Sequence, residues 1–175
     1  YNSIEASNIM NDNLIIDGKE FSSRLFIGTG KHRSLSELKD YIVSTESEMI
    51  TVAIRRLDFD DKNSNDLLSF LKKLKINILP NTAGCFSSKE AILTAELGRE
   101  SLETNWIKLE IIGDDITLLP DSIELLKSAN VLIKKGFKVF AYCSDDPILC
   151  KKLEDLGCCA VMPLISPIGL SLIHI

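Results

Sequence analysis

The sequence predicts an α/β protein built as an incomplete (β/α)8 TIM barrel, with about six of the eight strand–helix units. Short runs of apolar and β-branched residues alternate along the chain with longer stretches in which apolar residues recur at helical spacing. This alternation is typical of right-handed βαβ units, whose parallel strands form a sheet covered by helices. Polar and charged residues also follow successive strands, at the end of the sheet where barrel enzymes place their active sites.

The elements are predicted in chain order from these patterns. A short hairpin comes first, with strands at residues 14–16 and 20–21 flanking an Asp17-Gly18 turn. Six candidate strands follow, each bounded by Gly, Pro, Asn or Asp: residues 25–27, 49–54, 76–79, 106–112, 139–142 and 160–163. Five stretches with helical spacing lie between them: residues 35–43, 66–74, 88–102, 122–134 and 147–156.

Local signals indicate where the helices begin and end. Ser34 and Ser87 are each followed three residues later by Glu, the pattern of a capping box at a helix start. Pro147 suits a first helical position. Gly136 and Gly157 fall where a helix should end before the next strand.

An open doubly wound sheet is the alternative architecture. Its dinucleotide-binding fingerprint G-x-G-x-x-G fails here, because Arg33 stands where a third glycine should follow Gly28 and Gly30. The barrel is favoured by the polar and charged residues near the carboxyl ends of successive strands: Thr29, Lys31, Arg55, Arg56, Asn81, Thr82, Lys108, Glu110, residues 144–146 and Ser166.

Composition excludes several classes of protein. At 175 residues, with 45% hydrophobic and 26% charged residues, the chain has the size and make-up of one ordinary globular domain. Its net charge of −5 and the absence of any long Lys/Arg cluster argue against a nucleic-acid partner. No apolar run approaches the roughly 18 residues of a membrane span, and the polar, acidic start does not resemble a signal peptide.

The cysteines and histidines do not predict a metal site. Five cysteines, an odd number, include no C-x-x-C pair, and the chain has only two histidines to join them. We therefore expect a reducing compartment, no zinc and no other cofactor.

The most informative segment is the candidate strand at residues 106–112, because side chains alternate between the two faces of a strand. One face is aliphatic and suits packing against outer helices: Ile107, Leu109 and Ile111. The other face then points into the barrel: Trp106, Lys108 and Glu110. A buried Lys108 must either pair with Glu110 or a neighbour, or lose its proton. A neutral amine is a nucleophile that forms Schiff bases with carbonyl substrates, and a nearby carboxylate can shuttle protons.

Less specific interpretations of these charged residues remain open. Lys108 and Glu110 can also be a solvated pair on an exposed strand face. Arg55-Arg56 fits either an anion site or a solvated surface, and Asp145-Asp146 fits either the acidic first turn of a helix or a catalytic pair.

Seven ordered motifs between about Leu14 and Gly169 closely resemble the bacterial and plastid thiazole synthases of thiamine biosynthesis. The segments that carry the resemblance are residues 25–31, 51–56, 79–84, 105–110, 118–121, Gly136-Phe137 with Tyr142, and 161–163 with 166–169. That family is a (β/α)8 barrel, so the resemblance implies a transferase that builds the thiazole phosphate of thiamine. Its implied substrates are 1-deoxy-D-xylulose 5-phosphate, dehydroglycine (2-iminoacetate) and the sulfur of a thiocarboxylated sulfur-carrier protein.

The resemblance also implies particular site residues and partners. The family's Schiff-base lysine falls on Lys108, its acid/base glutamate on Glu110, and a backbone contact to the sugar phosphate on Gly169. The implied partners are the sulfur-carrier protein, a dehydroglycine-producing enzyme and further copies of the chain in a homotetramer. Members of the family are encoded in algal plastid genomes, and abundant Ile, Lys, Asn and Ser indicate an AT-rich genome. We therefore expect plastid stroma, with bacterial cytoplasm as the alternative.

The pattern departs from the family after Gly169. We expect an N-terminal tail at residues 1–13, a partial barrel domain at 14–169 and a divergent end at 170–175, which we interpret as an artefact of truncation or of a reading-frame end. The family's catalytic aspartate and most of its phosphate cradle have no counterpart in this sequence. Two alternatives to a thiazole synthase follow: another class I (Schiff-base) aldolase-type barrel enzyme, or a catalytically inactive fragment.

Overall fold

The computed structural model describes residues 12–30, 32–57 and 62–166. It begins with the expected hairpin, in which β1 (Leu14–Ile16) pairs antiparallel with β2 (Lys19–Phe21). The two turn residues, Asp17 and Gly18, both have positive φ, at 49° and 74°. Positive φ at both positions is the geometry that an Asp-Gly hairpin turn provides.

Six parallel strands form the main sheet. They are β3 (Phe26–Gly28), β4 (Met49–Ala53), β5 (Asn77–Asn81), β6 (Trp106–Leu109), β7 (Lys138–Cys143) and β8 (Ala160–Pro163). Each strand pairs with its neighbours in sequence, in the order β3-β4-β5-β6-β7-β8. A doubly wound sheet would need a reversal of this order, so the dinucleotide-binding alternative is wrong.

The sheet is curled into the wall of a partial barrel. β3 and β7 are four positions apart, which in a flat sheet would separate them by about 19 Å. Yet the rings of Phe26 on β3 and Phe140 on β7 lie with centroids 6.5 Å apart. The fold therefore matches the predicted incomplete TIM barrel, with the concave face as its lumen.

Five α-helices cover the convex face: α1 (Leu35–Thr45), α2 (Lys62–Leu74), α3 (Ser88–Leu102), α4 (Ser122–Lys134) and α5 (Pro147–Leu156). The predicted caps are confirmed, since the Ser34 and Ser87 hydroxyls accept hydrogen bonds from the backbone N–H groups three residues later. Gly157 ends α5 with a φ of 98°, a conformation that favours glycine. Within the described ranges, no helix is long and apolar enough to cross a membrane.

The apolar core divides between the two faces of the sheet. On the convex side, Ile107 and Leu109 of β6 pack with Leu125 and Leu132 of α4, all buried. On the concave side, a second cluster fills the amino-terminal end of the lumen with Ile16, Phe21, Met49, Leu79 and Phe140. The hairpin thus closes one end of the lumen and leaves the carboxyl ends of the strands open.

Two predicted strands end earlier than expected. The strand predicted to reach Ile112 stops at Leu109, and the strand predicted to reach Ile54 stops at Ala53. Ile54–Arg56 form a short 3-10 turn instead. Beyond Leu109 the backbone of Glu110 bonds to a side chain of the neighbouring loop rather than to a strand. Both early ends lie at the open mouth of the lumen, where the chain turns toward the next helix.

The hairpin plug should stabilise the whole fold through Phe21, which is 1% exposed and lies 6.0 Å from the rings of both Phe26 and Trp106. We predict that Phe21→Ala lowers the free energy of unfolding by about 3–5 kcal/mol, because it opens a cavity in the lumen cluster. Urea unfolding followed by fluorescence of Trp106, the only tryptophan, measures this change.

Ile15→Ala is the control in the same hairpin, since Ile15 is 63% exposed. It should change the free energy of unfolding by no more than about 0.5 kcal/mol. Equal effects of the two substitutions would show that the hairpin does not plug the lumen.

Candidate active site

Strand β6 places Lys108 in the lumen. Its neighbours Ile107 and Leu109 are 1% and 0% exposed in the core cluster on the convex side. Because successive side chains of a strand alternate between faces, Lys108 points to the concave side. There it lies in register with Asn81 on β5 and Phe140 on β7.

The open end of the lumen is a cavity of about 860 Å³. Its wall consists mainly of residues at the carboxyl ends of the strands and of the loops that follow them, as expected for a barrel site, with a contribution from the start of α2. Among the lining residues are Gly28, Thr29, Thr51, Arg55, Arg56, Asn81, Lys108, Glu110, Ile112 and Tyr142.

Lys108 and Glu110 lie together in this cavity. The Lys108 Nζ is 3.8 Å from Glu110 Oε2, and the two side chains are 21% and 8% exposed. Of the two ways to accommodate a buried lysine, the structure shows pairing with Glu110. Two lumen residues, one basic and one acidic, are therefore within reach of the same bound molecule. Their catalytic roles stay a prediction at this point.

The environment of Glu110 favours its protonated form. Burial raises the pKa of the Glu110 carboxyl above its ordinary value, while the positive charges of Lys108 and Arg56 act in the opposite direction. Burial is the largest of these effects, because a charged carboxylate loses hydration that its neighbours only partly replace. A carboxyl group shifted this way can both give and take a proton nearer neutral pH.

The backbone at Glu110 is fixed by Thr82, which sequence reasoning noted only as a polar residue at a strand end. The Thr82 hydroxyl donates to the Glu110 carbonyl oxygen at 2.7 Å and accepts from the Glu110 N–H at 2.8 Å. Thr82 is fully buried. This two-way contact replaces the strand pairing that ends at Leu109, and it sets the position from which the carboxyl group enters the cavity.

The two arginines of the pair Arg55-Arg56 have different surroundings. The Arg55 guanidinium donates to the Gly84 carbonyl at 2.6 Å and lies 4.0 Å from the Glu90 carboxylate. Arg56 is exposed at the cavity mouth, and its charge lowers the pKa of Glu110. Arg55 therefore has partners within the chain, whereas Arg56 presents a positive charge to the cavity.

The acidic pair after β7 has a structural role. Asp146 caps α5, with its carboxylate accepting a hydrogen bond from the Ile148 N–H at 2.8 Å. Neither Asp145 nor Asp146 lines the cavity around Lys108. This favours the helix-start interpretation over a catalytic pair.

Tyr142 is a lumen residue that the sequence analysis named in a family motif but gave no role. It lies two positions after Phe140 on β7, on the same face, and its ring centroid is 5.4 Å from the Lys108 Nζ. The alternation of side chains along β7 could have indicated this position, because it places Tyr142 on the same face as Phe140, the face that points into the lumen.

Several sequence predictions lie outside the described residues. They include two predicted residues of the site region, Gly169 and Lys31. Most of the predicted tail at residues 1–13 and the predicted end at residues 170–175 also lie outside them. In the part of the chain that is described, no group of three or more His, Cys, Asp or Glu side chains is placed to hold a metal ion.

Comparison with known proteins shows what this chain is similar to. The family model described as "Thiazole biosynthesis protein ThiG" matches residues 15–172. A thiazole synthase of Geobacter metallireducens is 51% identical over 159 residues, covering 91% of this chain and 61% of that protein. The thiazole synthase of Aquifex aeolicus is 49% identical over 161 residues, covering 92% of this chain and 60% of that protein. The chain thus spans about three fifths of the length of these relatives.

A solved structure supports the fold. The crystal structure of the Amycolatopsis orientalis BexX/CysO complex matches with a TM-score of 0.71 at 24% identity, covering 85% of this chain and 60% of that chain. At this identity the likeness concerns the fold alone.

Thr82→Val tests the contact that fixes Glu110. The valine leaves the Glu110 N–H and carbonyl without partners in a buried place, so we predict a loss of about 1–3 kcal/mol in the free energy of unfolding. Thr82→Ser keeps the hydroxyl and should lose less. If the two variants unfold at the same urea concentration, the hydroxyl does not hold Glu110.

The raised pKa of Glu110 predicts a pH dependence of stability. Between its ordinary value of 4.5 and its raised value, the folded chain binds more protons at this group than the unfolded chain does. The stability from this group is therefore fully present below the ordinary value and is lost as the pH rises through the raised value. Glu110→Gln cannot titrate, so the stability of wild type relative to this variant should fall as the pH rises from the ordinary value of 4.5 through the raised value. A relative gain of wild type over that range would mean that the pKa is lowered.

Proposed function

The chain belongs to the family of the thiazole biosynthesis protein ThiG, and from this membership we propose that its site performs the chemistry of a thiazole synthase in thiamine biosynthesis. In this proposal Lys108 is the nucleophile and Glu110 the acid/base residue. The observation that carries it is the placement of the Lys108 Nζ 3.8 Å from a buried carboxyl group inside the cavity.

The first step is imine formation between Lys108 and the ketone of 1-deoxy-D-xylulose 5-phosphate. The unprotonated amine nitrogen bonds to the carbonyl carbon while the C=O π bond opens, and water then leaves with the original oxygen. The nitrogen must lose protons and the departing oxygen must gain them. Enclosure in the lumen supports this role, because it holds the ketone against a single amine with little competing water.

Glu110 moves the protons in this step. Its raised pKa places the acid and base forms of the carboxyl group closer to equal population at the working pH. It can therefore accept a proton from the nitrogen and deliver one to the departing oxygen. After imine formation, the same carboxylate is placed to take a proton from the carbon next to the imine, which gives the enamine needed for rearrangement.

The phosphate of the substrate requires positive charge or backbone N–H groups. Arg56 at the cavity mouth supplies one charge, and the family resemblance assigns a backbone contact to Gly169. We place the phosphate at the open end of the lumen, since the hairpin and its aromatic cluster fill the other end.

The remaining substrates and partners follow from the family in the same way. Dehydroglycine (2-iminoacetate), delivered by a dehydroglycine-producing enzyme, supplies the nitrogen-containing part of the ring. Sulfur arrives on a thiocarboxylated sulfur-carrier protein, and the fold neighbour BexX was solved in a complex with a second protein, CysO. The active assembly in this proposal is a homotetramer. The relatives reported above are bacterial, which supports bacterial cytoplasm over plastid stroma.

Imine trapping tests the proposal directly. We predict that borohydride reduction of the protein with 1-deoxy-D-xylulose 5-phosphate gives a covalent adduct, and that mass spectrometry of its peptides locates the adduct on Lys108. Lys108→Met should give none, because the nucleophile is lost. Lys138→Arg is the control, since Lys138 is at the closed end of the lumen beside Asp17 and should not affect trapping.

Three results separate this function from its alternatives. Turnover that requires the thiocarboxylated carrier supports a thiazole synthase. An adduct on Lys108 with carbon–carbon bond cleavage and no need for a carrier would instead indicate a class I aldolase. No adduct on Lys108 would overturn the proposal and leave the inactive chain as the interpretation.

A further inference from the structure

The Tyr142 hydroxyl is a buried polar group without a hydrogen-bond partner among the described residues. Tyr142 is 6% exposed, and in the described part of the structure its hydroxyl oxygen has no hydrogen-bond partner. Leaving a buried hydroxyl unpaired costs free energy. Other hydroxyls in or beside the cavity wall are paired: the buried Thr82, which lies behind the wall, bonds to Glu110, and Thr51 in the wall donates to the Ile27 carbonyl. Tyr142 is therefore an exception that needs a reason.

The position of this hydroxyl supplies the reason. Tyr142 lines the same cavity as Lys108 and Glu110, and the Lys108 Nζ lies 5.4 Å from the centre of its ring. A molecule bonded to the Lys108 nitrogen therefore lies close to this ring. Enzymes stabilise charge that develops only during the reaction by means of polar groups that are already positioned at the reacting centre.

We propose that Tyr142 is a further catalytic residue, whose hydroxyl donates a hydrogen bond to the oxygen of the ketone that Lys108 attacks. This inference rests on the proposed function, because it needs a carbonyl substrate at Lys108. The ketone oxygen of the sugar phosphate becomes negative when the C–N bond forms, and the pairing of Lys108 with Glu110 leaves this oxygen without a partner. The inference assigns Tyr142 as that partner.

The step balances without any further reactant. As the Lys108 nitrogen bonds to the carbonyl carbon, the π electrons move to the oxygen, which accepts the hydrogen bond from Tyr142. Glu110 takes a proton from the nitrogen and passes it to that oxygen, and the second proton of the nitrogen follows the same route, so that the oxygen leaves as water and an imine remains. Tyr142 keeps its own proton throughout.

The protonation state of Tyr142 suits a donor. Burial raises the pKa of the hydroxyl above its ordinary value, and the nearby Glu110 and Cys143 raise it further. The neutral phenol is thus the form present when substrate binds. The ring contributes separately, since its face attracts the positive charge on the Lys108 nitrogen in the iminium state.

The decisive experiment compares Tyr142→Phe with wild type in the rate of imine formation. The rate is measured by mixing the protein with 1-deoxy-D-xylulose 5-phosphate, adding borohydride at timed intervals and quantifying the adduct on Lys108. Tyr142→Phe keeps the ring and loses only the hydroxyl. We expect its rate at saturating sugar phosphate to fall roughly 100-fold, with little change in the half-saturating concentration. Tyr142→Leu also removes the ring and should be slower still.

Stability distinguishes this role from a structural one. Since the hydroxyl has no partner to lose, Tyr142→Phe should unfold at the same urea concentration as wild type or a higher one. Tyr41→Phe is the matched control, because Tyr41 is 47% exposed on α1 and does not line the cavity. It should form the imine at the wild-type rate.

Three results would overturn the inference, and each leads to a different conclusion. Equal rates for Tyr142→Phe and wild type would show that the hydroxyl does not contact the reacting oxygen, while trapping on Lys108 would keep the proposed function intact. A slow Tyr142→Phe that also unfolds at lower urea would assign the hydroxyl a structural bond instead. No adduct in wild type would remove the proposed function, and the role of Tyr142 with it.

Discussion

The alternation of side chains along β6 is the constraint on which the site depends. Ile107 and Leu109 bury their side chains against α4, and each would expose a large apolar surface if the strand were turned over. The free energy of that burial forces Lys108 to the concave face, although a lysine there loses hydration. Pairing with Glu110 offsets part of this loss of hydration. Because the sheet is curled, the Lys108 side chain on its concave face lies inside a cavity.

The remaining features of the site follow from this placement. Because the strand ends at Leu109, the backbone of Glu110 needs other partners, and the buried Thr82 hydroxyl provides both. The carboxyl group is thereby held where burial raises its pKa and where the charges of Lys108 and Arg56 only partly counter that rise. The proposed acid/base role of Glu110 and the position of the proposed nucleophile, Lys108, thus depend on the same few contacts. The hairpin contributes at a distance, because its aromatic plug fixes the lumen at the closed end.

Much of this could be predicted from the sequence, because the strongest determinants are local. Periodicity and capping patterns located the five helices, and the aliphatic face of β6 was enough to orient Lys108. The early end of β6 could not be predicted, because it depends on a contact between Glu110 and Thr82, 28 residues apart in the chain. The difference between Arg55 and Arg56 and the unpaired hydroxyl of Tyr142 are likewise properties of packing between elements, on which local patterns carry no information.

The carboxyl group of Glu110 reports most directly on whether this amine and this acid share a buried lumen. NMR titration of the protein with carbon-13 in its glutamate carboxyl groups, assigned with Glu110→Gln, would measure the pKa of Glu110 itself. The structure predicts a midpoint above the ordinary value of 4.5, and a further rise in Lys108→Met, because Lys108 lowers that pKa. A midpoint at or below 4.5, or one that does not respond to the loss of Lys108, would contradict the account.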